Sequence, residues 1–593
     1  MALSGTMLKS GRGVAGSALF TGGMNSGPPA MFIDDRCFRH AENTVHRGGV
    51  VRTRPGYREV FRLPAGNLQG MSYFRPLDGE GHLVFAVNGN VYASAYPFAS
   101  YAPLPNLKMY QFAERVWFSS SVRSAERNPD GTISSIEPVR TLIVQDGAYT
   151  RAGYWDGTSS GHLDPTVSVD GAGNILTAGV PLGGPHAWSG DRLWVANHNK
   201  LFASDIADPL SFTENEYLAE GGFFLFEDDI TAVVDVSSVL ESSILVFTRK
   251  RTYRILSGIR DRSTWKAQTN PPFQSVLFPD IGCVSARSIV SRNGLLWWMS
   301  HVGLTNFNSA QQAYVSSKLV PADSAMLLSK ANIDGNFSRI ALGAHENFLR
   351  VSVPYGDKFN SHTWVYDQAV ASEDGRTSVE SWSGIWTGTR PVEWVSGLFG
   401  QTPRSYYVSK DKDGYNRLWE AFIPERKDAG EEIPCFLETK THLDFSEKAT
   451  GLDRKRFVYA EVTLEHVLGD VDLELLYAGT RGKYKTLGNW HISAEEGSPE
   501  AGVLASAYST YRPQQRVIRT PSVSEATNAC TSCGTESSKQ DWLDTGFSLL
   551  VKWTGRTAVG SYRLFADPTE EPAAGEAEYI EGPPRILSGV ECS

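Results

Sequence analysis

The stretch GCVSARSIVSRNGLLWWMSHVGLTNFN, residues 282–308, decides how the chain is read. It holds two short apolar runs, Ser288-Ile289-Val290 and Leu295 to Met299, on either side of Arg292-Asn293-Gly294. Asn-Gly tolerates positive φ at both central positions of a tight turn, which makes it the strongest short-range hairpin signal. After Met299 the chain turns at His301-Val302-Gly303 and enters a third run, Leu304 to Phe307. Each run is too short for a helix, and Trp, Ile, Val and Leu fill them. The unit therefore reads as a meander of short antiparallel strands.

Working outward, the same pattern recurs. HLVFAVNGNVYASAY (82–96) turns around Asn88-Gly89-Asn90, and TLIVQDGAYTRAGYW (141–155) around Asp146-Gly147. GDRLWVANHNKLFASD (190–205) turns between Asn197 and Asn199, and RSYYVSKDKDGYNRLWEAFI (404–423) at Asp413-Gly414. Segments 114–119, 230–258 and 347–368 supply further strands. No strict period links these units, but their spacing of roughly 40 to 50 residues is the length of one four-stranded propeller blade. The expected fold is all-β: a β-propeller over residues 65–430, with about seven blades give or take at least one. A stack of β-sandwiches is the structural alternative, because short strands with turn signals permit it too.

The flanks read differently. Residues 1–64 are expected to form an N-terminal arm and first strands: an irregular Gly/Ser/Pro-rich start over 1–30, a short helix within Met31–Val45 begun at Asp34 or Asp35, and a strand pair over Val50–Phe61 broken at Arg54-Pro55-Gly56. PERKDAGEEIP, residues 424–434, reads as a charged linker. Residues 431–593 are expected to hold a C-terminal β-domain. Its first hairpin would turn at Gly469-Asp470, and polar loops and an extended tail would follow.

Composition narrows the function. The chain has 593 residues, more than one compact core accommodates. Its formal charge of -10 argues against tight duplex binding, which needs phosphate neutralisation. Six cysteines in this length make no disulfide framework and fit a reducing compartment. The N-terminus lacks the continuous apolar stretch of a secretory signal, and no apolar run approaches membrane-spanning length.

The motifs offer little chemistry. Cys530 and Cys533 form a lone CxxC in a Ser/Thr-rich loop, with no His or second pair nearby in sequence. Free thiols are expected there. Asp411-Lys412-Asp413-Gly414 lacks the remainder of a calcium loop and reads as a hairpin turn. Asp374-Gly375 and Ser409 to Asp411 miss the register of a sialidase Asp-box. The acidic clusters Glu227-Asp228-Asp229 and Asp34-Asp35 read as solvated loop charges, because a glycosidase needs two carboxyls held across a bond. No catalytic, cofactor-binding or metal-binding residue is expected, and no cofactor.

Several segments in order resemble tail nozzle or tail hub proteins of short-tailed double-stranded DNA bacteriophages. TGGMNSGPPAMFIDDRCFRHAENTVHRGGVVRTRPGY (21–57) carries Gly22-Gly23-Met24-Asn25, the acidic Asp34-Asp35, Asn43 and a basic strand ending in Arg54-Pro55-Gly56. RLWVANHNKLFASDIADPLSFTE (192–214), SSILVFTRKRTYRI (242–255) and residues 281–307 are similar to successive propeller segments of such proteins. The resemblance implies a propeller body assembled as a hexameric ring, joined to a tail adaptor ring and neighbouring fibres or other tail proteins. It implies a virion protein assembled in host cytoplasm, passing double-stranded DNA without sequence-specific binding, with no catalytic residues and no membrane span. A tail-associated carbohydrate-active or receptor-binding propeller is the alternative.

Overall fold

The computed structural model describes residues 13–568, apart from 129–132, 165–166, 170–174, 214–222, 241–242, 259–273, 316–335, 355–358, 368–381, 446–453, 481–483, 494–515, 522–542 and a few isolated positions. Cys530, Cys533 and the tail from 569 onward lie outside the described residues.

The opening meander forms, with its first strand displaced: Ala286–Ser288 is a 3-10 turn, and the strand starts at Val290, the last residue of the expected run. Val290–Arg292, Leu295–Ser300 and Gly303–Asn308 pair antiparallel, and Gln311–Val315 adds a fourth strand. Arg292 faces Leu295 across a two-residue turn in which Gly294 takes φ 72°. Leu296 to Met299 are all buried because this strand is covered on both faces. Alternate side chains leave opposite faces of a strand, so Trp298 packs 5.5 Å from Phe247 of the preceding meander. Trp297 packs 5.3 Å from Tyr366 of the following one. One run thus feeds two inter-blade cores, which is why it reads as continuously apolar.

The same arrangement circles an axis. Four-stranded meanders begin at Leu68–Phe74, Trp117–Arg127, His186–Ser189, Ile230–Asp235 and Val290–Arg292. The closing blade is Pro391–Phe399, Thr402–Lys410 and Tyr415–Ile423, completed on its outer side by Gly56–Ala65 from the N-terminal region. These six blades have sheets of their own. The position before the closing blade is filled by Ala341–His345, Phe348–Val353, His362–Asp367 and Trp382–Trp386, which continue into a large curled sheet. The count lies within one of the expected seven, and the radial sheets exclude stacked sandwiches. The ring closes where Tyr73 Oη donates to the Leu398 carbonyl at 3.0 Å.

The curled sheet draws on both ends of the chain. Its spine is Lys455–Gly479 against Phe547–Pro568. A strand of 25 residues would run roughly 80 Å if straight. It bends instead, with pairing shifts between Glu465 and Asp472, where His466 and Gly469 have φ 53° and 69°. The hairpin expected at Gly469-Asp470 is therefore a bend within one strand. Positive φ at glycine serves a bulge as well as a turn.

Other expectations are corrected too. The start is not an irregular arm throughout: Gly13–Ser17 pairs with the last long strand, and Phe20 and Met24 are core residues. No helix forms in Met31–Val45. Asp34 Oδ1 accepts from its neighbour Arg36 N at 2.8 Å, and the chain continues as strands Cys37–Phe38, His40–Glu42 and Thr44–Arg47. An Asp with local backbone bonds suits a loop as readily as a helix start. The 424–434 segment is no free linker. Lys427–Asp428 pairs with Glu431–Glu432, and Asp428 aligns with Tyr57 on the closing blade. Asp146-Gly147 is not a hairpin tip, since the connection runs from Gln145 to Gly153 and buries Asp146. Among the described residues no helix is long and apolar enough to cross a membrane, which says nothing of strands.

Arg54 locks these parts together. It is 1% exposed, and all five guanidinium N–H groups meet an acceptor. Nε donates to Asn43 Oδ1 at 3.0 Å, Nη1 to Pro55 O at 3.1 Å and Asp428 Oδ1 at 2.9 Å, and Nη2 to Thr387 O at 3.3 Å and Asp428 Oδ2 at 2.5 Å. Burial pulls its pKa down, but Tyr57 and Asp428 outweigh that and raise it.

Candidate functional site

Two concavities lie where the inner strands begin. Two cavities, of about 440 and 680 Å³, share Glu114 and Arg287 as lining residues. They are two lobes of one funnel at an end of the propeller axis, a customary place for ligands in a fold of this kind.

The floor between the lobes is an ion cluster. Glu393, buried on the closing blade, faces Arg115 Nη2 at 3.4 Å and Arg287 Nε at 3.5 Å. Burial pushes Arg115 down to about 10, the nearby carboxylate opposing that shift. Two guanidinium groups share one carboxylate, so the cluster keeps a net positive charge. Cys283 sits beside it, its thiol pushed up to about 12 by burial, and is an inert packing residue.

The larger lobe is basic. Arg287, Arg339, Arg390 and Lys410 line it, against the carboxylates of Glu114 and Asp411. Asp411 is already engaged, accepting from Arg417 Nε at 3.0 Å and from the Tyr415 and Asp413 amides of its own turn. The calcium-loop resemblance at 411–414 thus resolves into a hairpin turn held by an aspartate, as its spacing implied. Among the described residues no group of three His, Cys, Asp or Glu is placed to hold a metal.

The rim of the smaller lobe carries exposed aromatic rings. Tyr149 lines that lobe and stacks on Tyr110 at 4.8 Å, and Phe112 meets Tyr110 edge-on at 5.7 Å. Tyr149 and Phe112 are 68% and 73% exposed, yet their loops are pinned from beneath by buried polar groups. Asp146 accepts from Tyr110 N at 2.6 Å and Thr150 N at 3.0 Å. Gln69 Nε2 donates to Tyr110 O and Ala113 O, and its Oε1 accepts from Gly89 N.

The acidic clusters singled out in the sequence stay apart. Glu227 pairs with Arg251, and Asp229 reaches the smaller lobe 3.8 Å from His198. Asp35 pairs with Lys440 on the curled sheet, 2.6 Å away. The axial arginines gave no motif because each comes from a different blade. A signal existed in their position: Arg115, Arg287, Arg339 and Arg390 each stand one to three residues before an inner strand.

No protein-family model and no curated protein matches the sequence. Among solved structures, a catalytically inactive virginiamycin B lyase from Staphylococcus aureus with quinupristin overlaps 61% of this chain and 98% of its own, at TM-score 0.30 and 9% identity. The extracellular domain of a putative one component system from B. thetaiotaomicron overlaps 77% and 58%, at TM-score 0.32 and 11% identity. An S. cerevisiae complex of Dbp5 with Nup159, Gle1, inositol hexakisphosphate and ADP overlaps 63% and 96%, at TM-score 0.25 and 7% identity. Overlaps this loose carry nothing about the activity of this chain.

Proposed function

We propose that this chain is a structural virion protein, a subunit of a tail nozzle or hub ring of a short-tailed bacteriophage, forming part of the conduit through which DNA leaves. The observation that carries the reading is the order of the segments 21–57, 192–214, 242–255 and 281–307. The body suits the role mechanically. One buried cluster joins Trp297, Met299 and Trp364 of the propeller to Leu473 and Val551 of the curled sheet, so the two are coupled rather than hinged on a linker. Copies assemble as a hexameric ring beneath an adaptor ring, and the work is assembly and passage.

A conduit should not grip its cargo. Each phosphate contact adds affinity through counterion release, and a ring multiplies every basic residue by its copy number. The formal charge of -10 is compatible with a net negative wall. Titration with duplex DNA at low salt tests this: weak, salt-sensitive, sequence-independent binding is expected, and tight binding to a particular sequence would sink the passive role. One observation favours a second reading, a receptor-binding propeller. The exposed, braced rings of Tyr110, Phe112 and Tyr149 form a platform on which sugar faces stack. Saturable binding to host glycans, lost in Tyr149→Ala, would select it.

A further inference from the structure

We propose that the larger axial lobe is a binding site for a small anionic ligand that also carries hydroxyl groups, of the class of a sugar phosphate or a uronate. Its volume of about 680 Å³ is that of small-molecule sites generally. Arg287, Arg339, Arg390 and Lys410 bring four cationic side chains to its lining, beside Glu114 and the already engaged Asp411. Like charges gathered at a cavity repel one another, and a bound anion relieves that cost. Arginine in particular offers the planar fork that matches phosphate or carboxylate.

Two further features point to a ligand. The Arg390 guanidinium carbon lies 5.5 Å from the Phe359 ring centroid, and neither Arg390 nor Lys410 has an ion-pair partner among the described residues. Asn360 is 4% exposed and lines the lobe. Its Nδ2 donates to Arg339 O at 2.7 Å and Pro391 O at 2.8 Å, while its Oδ1 has no hydrogen-bond partner. A buried acceptor left unmade is costly, and a hydroxyl or a water carried in with the ligand supplies the missing donor. In the ion cluster beneath, Arg115 offsets the one Glu393 carboxylate that it shares with Arg287, so the positive surplus of the lobe is kept.

The test is isothermal titration of the full chain at low salt with glucose 6-phosphate, galacturonate, inorganic phosphate and glucose. Saturable binding of glucose 6-phosphate or galacturonate is expected, with glucose silent; the tighter of the two charged sugars identifies whether phosphate or carboxylate is the native group. Inorganic phosphate is expected to bind about tenfold more weakly than the better sugar, having no sugar hydroxyls to reach Asn360 while its anionic oxygens engage the arginines. Arg390→Ala and Lys410→Ala remove exposed side chains, so the fold is retained, as an unchanged melting curve would verify. Each is expected to weaken binding about tenfold, and Arg390→Lys to recover part of the loss. The inference is overturned if no charged sugar binds saturably, if glucose binds equally well, or if the two alanine variants bind like the parent.

Discussion

Replacing Arg54 with alanine would remove the group that joins the N-terminal strands, the closing blade and the 427–432 hairpin. Five hydrogen bonds disappear with it, two of them to Asp428, together with contacts to the rings of Tyr57 and Trp386 at 4.6 and 5.6 Å. Removing one partner of a buried pair costs about 3–5 kcal/mol, because the other charge is left uncompensated. Asp428 retains 28% exposure and recovers some hydration, so the lower half of that range is expected. With a urea slope of about 2 kcal/mol per molar, the transition followed by tryptophan fluorescence should move down by about 1.5–2 M. Replacing both partners with apolar residues, Arg54→Met with Asp428→Leu, should recover much of the loss, since no charge is stranded. An Arg54→Ala transition within about 0.5 M of the parent would refute the claim that this guanidinium holds the closure together.

Trp298→Ala should destabilise the chain by about 3–5 kcal/mol in the same urea assay, because Trp298 is fully buried between two blades and its Nε1 donates to Gly282 O at 3.1 Å. Acid should weaken the fold in a defined window. Burial pushes His442 and His345 from 6.5 down to about 4, so above pH 6.5 both states are neutral there. Between pH 6.5 and 4 only the unfolded chain takes up those protons, and stability falls by up to about 3 kcal/mol per histidine; His442→Gln should flatten part of that slope in melting temperature against pH, and an unchanged slope would count against it. Serine at both Cys530 and Cys533 should leave folding and metal content unaltered, and stoichiometric zinc in the parent protein would contradict this.

The sequence was most legible where a local signal had only one use. Asn88-Gly89 sits in a two-residue hairpin because both positions take positive φ, 48° and 79°, with Val87 facing Asn90. The run around Trp297 and Trp298 was recognisable because burial on both faces leaves no polar alternation. Legibility failed where one signal serves several ends. Gly469 bends a strand instead of ending it, and Asp34 ties a loop instead of starting a helix. Asp146 looked like a turn residue, but its carboxylate braces the backbone of Tyr110 and Thr150. The charged run 424–434 looked solvated until Arg54, some 370 residues away, supplied Asp428 with its partner. The axial site was least legible of all. Arg115, Arg287, Arg339 and Arg390 acquire a common purpose only when the blades close around the axis, and their shared place just before an inner strand is readable only once the strands are assigned.

The ring is tested most directly by the mass of the purified protein, in solution and within a particle, together with an image of the assembly. Six copies of the 65.1 kDa chain closed around an open channel are expected. A protein that stays monomeric at every concentration, and occurs in a particle singly or as separate spikes, would contradict the account.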